Sequence, residues 1–142
     1  MDLDIKIKKL RKEAVIPTYA HEDDAGADLF AVRDVVLSPN EQVQIETGLA
    51  FDIPKGYVMF IWDKSGLSQK HGIKTLGGVV DSGYRGEVKV GLINLSSKEY
   101  VVKKHHKVAQ MIIQKREKAN FIEVDGMSDS LRGSGGFGST GK

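Results

Sequence analysis

The chain predicts an all-β domain of the sandwich, jelly-roll or barrel kind, and three observations carry that reading. Apolar and polar residues alternate with a period of two, as in Leu3, Ile5 and Ile7 against Asp4, Lys6 and Lys8, which is the pattern of a half-buried strand. The apolar runs are short, rich in Val and Ile, and separated by Ser-Pro-Asn, Pro-Lys-Gly, Gly-Gly and Ser-Ser punctuation. Only Ser65 to His71 has a helical texture, and it is barely two turns long.

After the N-terminal strand, further strands are expected at Asp34 to Leu37, Gln42 to Ile45, Leu49 to Ile53, Tyr57 to Trp62, Glu87 to Asn94, Tyr100 to Lys103, Val108 to Gln114 and Phe121 to Val124. Each is a β-branched or aromatic run bounded by turn formers, and many short strands so bounded close into two packed sheets or a barrel. No repeat or interdomain linker interrupts them. A shift in composition near Gly126 divides the chain into a β domain over residues 1–125 and a C-terminal arm over residues 126–142.

A length of 142 residues suits one domain with a sizeable core. With 21 basic against 19 acidic side chains the net charge is +2, too small a field to hold a nucleic-acid backbone by counterion release, so polymeric nucleic acid is not the expected partner. The absence of cysteine excludes disulfides, thiolate catalysis and Cys-zinc sites, and fits a reducing compartment. The opening MDLDIKIKKL has no apolar run of the length a signal peptide or membrane span requires, so a cytoplasmic, membrane-free protein is expected.

The tail RGSGGFGSTGK, Arg132 to Lys142, carries almost nothing to bury. Glycine loses the most conformational entropy on ordering, so such a segment stays mobile unless a ligand offsets that cost. Its free backbone amides, the hydroxyls of Ser134, Ser139 and Thr140 and the Arg132 guanidinium suit an anion. Phe137 adds a flat face for a ring. A mobile terminus is the alternative; the lone aromatic among glycines, headed by an arginine, favours a ligand lid.

Four further patches interrupt the strand pattern: AGADL (Ala25 to Leu29), DKSGLS (Asp63 to Ser68), GVVDSGYRG (Gly78 to Gly86) and VAQMI (Val108 to Ile112). Asp28 either caps a turn or offers a hard oxygen to Mg²⁺, directly or through water. Lys64, Ser65 and Gly66 open the short helix, where free amides favour an anion, unless Ser65 is a solvated cap. Asp81 sits at the shoulder of an expected hairpin, either as a general base for water or as a plain turn residue. Tyr84 packs on a ring or sugar, or forms part of the core rim. Gln110, uncharged in an apolar run, is hydrogen-bonded in the core or aimed at a ligand. His21, His71, His105 and His106 lack zinc-ligand spacing, and the Lys103 to Lys107 cluster reads as a solvated face.

Together and in this order the five patches resemble the five motifs of the trimeric dUTP pyrophosphatase (dUTPase) family, over about Ala14 to Lys142. The most specific are AGADL, DSGYRGE followed by KVGLIN, VAQMI and RGSGGFGSTG. The resemblance implies a distorted β jelly roll or barrel with at most one short helix, a flexible Gly-rich C-terminal arm, and a homotrimer whose sites lie between subunits under the tail of a third. It implies Mg²⁺-dependent hydrolysis of dUTP to dUMP and pyrophosphate, which limits uracil incorporation into DNA and supplies dUMP for dTMP synthesis.

In that scheme Asp81 activates the water attacking the α-phosphorus, and Tyr84 excludes a 2′-hydroxyl. Gly78, Val79 and Val80, with Lys89, pair with the uracil edge. Lys64, Ser65, Gly66 and Gln110 hold phosphates, as do Arg132, Gly138, Ser139 and Thr140. Phe137 covers the base, and Asp28 holds Mg²⁺ through water. Two departures stand out. Lys64 replaces a more usual arginine, turning a bidentate fork into a point charge. Gly83 stands where an acid is common, a feature of the related dCTP deaminases, but their catalytic glutamate would fall at Gly91 and is absent. A dUTP-binding regulator on the same scaffold and, less favoured, a deaminase-like enzyme are the alternatives.

Overall fold

The computed structural model describes residues 3–141. Among them ten strands and one short helix occur: β1 (Lys6–Lys9), β2 (Ala27–Phe30), β3 (Val35–Leu37), β4 (Gln42–Asp52), β5 (Tyr57–Trp62), α1 (Ser65–His71), β6 (Ile73–Leu76), β7 (Val79–Asp81), β8 (Glu87–Asn94), β9 (Tyr100–Val102) and β10 (Lys107–Lys115). The predicted mostly-β architecture with one short helix is the one observed. Two four-stranded sheets, ordered β1-β4-β8-β6 and β2-β10-β5-β7, are joined by the small ribbon β3-β9, and every pairing is antiparallel. The alternation of β8, EVKVGLIN, places Val88, Val90, Leu92 and Asn94 inward, and the sheets close over a core that includes Leu29, Leu37, Ile45, Leu49, Met59 and Leu92.

Several expectations need correction. The two strands expected at Gln42 to Ile45 and Leu49 to Ile53 are one, β4, broken in register against β8 between Glu46 and Ala50. Gly48 causes the break: its φ of 67° is open to glycine, and a Cβ there would meet the Ala14 Cβ at 2.9 Å. β2 carries no alternation, since Ala27, Asp28 and Leu29 are all buried, and β6 is only four residues long, so neither was expected as a strand. Phe121 to Val124 form no strand; the segment has no partner among the described residues and Phe121 is 93% exposed.

The expected hairpin around Asp81 is also absent. β7 bonds to β5, whereas β8 bonds to β4 and β6, so Gly77–Gly78 and Ser82–Gly86 both cross from one sheet to the other. Gly78, at φ 116°, makes the first crossing tight enough for its carbonyl to accept from Ile61 N–H at 2.7 Å. A Cβ there would lie 2.6 Å from the Ile61 carbonyl oxygen.

Candidate active site

The two crossings leave a cleft of about 480 Å³ where the sheets part, lined by Gln44, Ile61, Leu76, Gly78, Val79, Val80, Asp81, Tyr84, Glu87, Val88 and Lys89. Six of the residues singled out in the sequence, Gly78 to Asp81, Tyr84 and Lys89, thus share one concavity. Small residues line one wall, which leaves main-chain groups available to a ligand's edge, and the exposed Asp81 carboxylate stands at the end of β7.

Tyr84 is held from several directions. Its amide donates to the Asp81 carbonyl at 3.1 Å and its hydroxyl to the Glu87 carbonyl at 2.9 Å. The hydroxyl passes over Gly86, where a Cβ would lie 2.5 Å from the phenolic oxygen, so only glycine admits this ring position. Arg85 braces the same turn, donating to the Ser82 carbonyl at 2.6 Å and the Tyr84 carbonyl at 3.1 Å while pairing with Asp52 at 2.6 Å.

A second cluster gathers Asp28, Lys64 and Gln110. Asp28 is 2% exposed, and its Oδ1 accepts from Lys64 Nζ at 2.5 Å. Lys107 Nζ lies 2.7 Å from Oδ2, so each oxygen of the buried carboxylate faces an ammonium. Burial pushes the carboxyl upward, but Lys107 and Lys64 outweigh it and hold Asp28 below the ordinary aspartate value. Lys107 therefore belongs to this cluster and not to a solvated face. Its only signal in the sequence was its place one residue before the VAQMI run.

Gln110 is neither simply buried nor free. Its Nε2 donates to the Asp63 carbonyl at 2.9 Å, and its Oε1 rests where a Cβ on Gly26 would stand, at 2.5 Å. Ser65 and Gly66 begin α1, whose N-cap residue Lys64 makes no side-chain cap, leaving the first amides of the helix without that partner. Gly72 ends the helix at φ 67° and donates to the Leu67 and Ser68 carbonyls.

The two clusters do not share a cavity. Gln110 pairs in register with both Asp28 and Trp62, whereas Asp81 pairs with Val58, four residues back along β5. At ~3.3 Å per residue that is about 13 Å of strand. The tail residues Arg132, Phe137, Gly138, Ser139 and Thr140 meet neither cluster. Their segment's hydrogen bonds stay within it, such as Arg132 Nε to the Gly135 carbonyl at 2.6 Å, and Phe137 is fully exposed. Lys142 lies outside the described residues.

The family model described as dUTPase matches residues 12–141. The chain belongs to the dUTPase family. It is 50% identical over 140 residues to the deoxyuridine 5'-triphosphate nucleotidohydrolase of Nautilia profundicola, covering 97% of this chain and 99% of the relative. The corresponding protein of Thermobifida fusca is 47% identical over 96% of this chain and 78% of the relative. Among solved structures, the Staphylococcus bacteriophage 80alpha dUTPase G164S mutant with dUpNHpp superposes with a TM-score of 0.91 at 29% identity, covering 98% of this chain and 99% of the other. For this dUTPase, no group of three or more His, Cys, Asp or Glu side chains among the described residues forms a metal cage, which leaves Asp28 as the anionic oxygen of the second cluster. Likewise, no helix among the described residues is long and apolar enough to cross a membrane.

Proposed function

We propose that the chain hydrolyses dUTP to dUMP and pyrophosphate. The observation that carries this reading is the cleft at the sheet crossing, where a carboxylate, a braced tyrosine and a wall of main chain converge on a space of nucleoside size. Gly78, Val79 and Val80 offer amides and carbonyls to the uracil edge, with Lys89 beside them. Tyr84, fixed by its bond to Glu87, lies under the deoxyribose and rejects a 2′-hydroxyl. Asp81 takes a proton from the water that adds to the α-phosphorus, and the bond to the bridging oxygen breaks to release pyrophosphate.

Lys64, Ser65 and Gly66 hold phosphate oxygens, with Gln110 on a further one. Asp28 suits a metal's water shell through the chemistry of its donor: it is anionic at neutral pH and hard in its oxygen chemistry. It would hold Mg²⁺ through water, and a bound Mg²⁺ supplies charge neutralisation to the triphosphate. Because the cleft and the phosphate cluster lie apart within one chain, the working site is assembled between copies in a homotrimer. Residues 126–142 act as an arm of a third copy, bringing Arg132, Gly138, Ser139 and Thr140 to the phosphates and Phe137 over the base. Closure of that arm excludes bulk water.

The test is pyrophosphate release from dUTP with dCTP, dTTP and UTP in parallel, with and without Mg²⁺, and with ammonia assayed. Selective, Mg²⁺-dependent release from dUTP is expected. A second reading, a dUTP-binding regulator, draws on the bacteriophage 80alpha dUTPase, described as controlling transfer of virulence genes by a G protein-like mechanism. Tight dUTP binding without product would favour it. Ammonia from dCTP would favour deaminase chemistry, for which Gly91, in mid-strand between Leu76 and Gln44, offers no acid.

A further inference from the structure

Asp63 stands between Trp62, the last residue of β5, and Lys64, the N-cap of α1. Its Oδ1 accepts from both Thr75 N–H at 2.7 Å and Thr75 Oγ1 at 2.8 Å, and its Oδ2 accepts from Lys74 Nζ at 2.7 Å. Its carbonyl accepts the Gln110 side chain at 2.9 Å. One residue thus joins three elements: β5 and β10 of one sheet, and β6 of the other. Its side chain is 22% exposed and Thr75 is buried, so these bonds form in a partly desolvated setting, where they are stronger than at a free surface. Burial raises the Asp63 carboxyl, and Lys74 and Thr75 more than reverse that, so it is anionic at neutral pH.

Apart from Leu67, which packs against the core, and the Lys64–Asp28 ion pair, the loop that follows has little to fix its main chain. Lys64 provides no side-chain cap, the Gly66 position has open space where a side chain would stand, and the helix is only seven residues long with no buried residue. Lys64 carries a flexible four-carbon stem and a point charge, so its placement of a phosphate depends on where its backbone sits.

We propose that Asp63 is the positioning residue of the Lys64–Gly66 phosphate loop, anchoring it through Thr75 and Lys74 to the opposite sheet. The role rests on the reading of that loop as the phosphate site. Asp63 touches no substrate; it acts by holding the loop amides and the Lys64 stem in one place, which a triphosphate requires and a bare nucleoside does not.

The experiment compares binding of dUpNHpp with binding of deoxyuridine, which has the base and sugar but no phosphate, in the full-length protein. Asp63→Ala is expected to weaken dUpNHpp binding by about tenfold or more, the scale of losing hydrogen bonds to a charged group, and to leave deoxyuridine within about twofold. Asp63→Asn keeps an acceptor for Thr75 and should recover most of the loss. Thr75→Val, which deletes only the Oγ1 donor, should show a smaller loss of the same kind and carries the test if Asp63→Ala fails to fold. Equal weakening of both ligands, or unchanged dUpNHpp binding in Asp63→Ala while Lys64→Ala weakens it, would overturn the proposal. Unchanged dUpNHpp binding in Lys64→Ala would instead remove the phosphate-loop reading itself.

Discussion

The proposed chemistry rests on single residues, and two substitutions separate the roles assigned to them. Asp81→Asn keeps the size and the hydrogen-bonding oxygen but cannot accept the water's proton, so turnover should fall by at least ~100-fold while dUpNHpp affinity changes little. Steady-state rates beside calorimetric binding check this, and retained hydrolysis would take Asp81 out of the mechanism. Gly86→Ala tests sugar selection, because the new Cβ would stand 2.5 Å from the Tyr84 hydroxyl and must displace the ring. The ratio of kcat/KM for dUTP to that for UTP should drop, by about tenfold if the lost contact is of hydrogen-bond size. At this scale the sequence was most informative where a residue type is chemically unusual in its setting, as Gln110 is inside an apolar run. It was least informative for Asp63, Thr75, Arg85 and Lys107, whose side chains act through partners more than ten residues away, as Lys107 does on Asp28.

Elements were legible where period and punctuation agreed. Tyr57–Trp62, Ser65–His71 and Glu87–Asn94 run between the residues expected for them. The misreadings share one cause, which is that long-range pairing decides matters that local pattern does not contain. β2 is strand because β10 pairs with it, and Phe121 to Val124 are not because no described strand does. Two ionised carboxylates tie elements together, Asp28 within one sheet and Asp63 across to the other. Asp28 and Asp63 both have folded values below the ordinary ~3.9, so the stability they contribute is complete above that value and is lost as pH falls through the folded values. Thermal melts should be flat from pH 7 to about 5 and drop below about 4, and Asp63→Asn should make that acid drop shallower. The buried Asn94 is a comparable joint at the far end of β8: its Nδ2 donates to the Leu37 carbonyl at 3.0 Å and to the Lys98 carbonyl at 2.7 Å, and its Oδ1 accepts from Ser96. Asn94→Ala removes these bonds and leaves the Ser96 amide without its acceptor, and should cost about 2–4 kcal/mol in denaturant unfolding.

At the scale of the molecule, the chain divides its labour between a rigid two-sheet body and a segment that the body does not hold. After Arg116, whose amide donates to the Gly56 carbonyl, the described residues enter no helix or strand, and Phe121, Ile122, Val124, Met127, Leu131 and Phe137 stand exposed. Such a row of apolar side chains is unfavourable in water unless another surface covers it. The composition of the tail signalled in the sequence that it needs a ligand, but the covering surface is not encoded in any local pattern. If residues 119–131 serve as the attachment to a neighbouring copy and residues 132–142 as the closing lid, the two functions separate at Arg132. Deleting Arg132 to Lys142 should then leave sedimentation at the trimer mass and the melting temperature unchanged, while kcat/KM for dUTP falls by about 100-fold or more through loss of the Arg132 charge and of water exclusion. A truncated chain that sedimented as a monomer would assign the glycine-rich end to assembly and not to closure. One that stayed trimeric at full activity would show that the cleft and the phosphate loop complete the reaction without a lid.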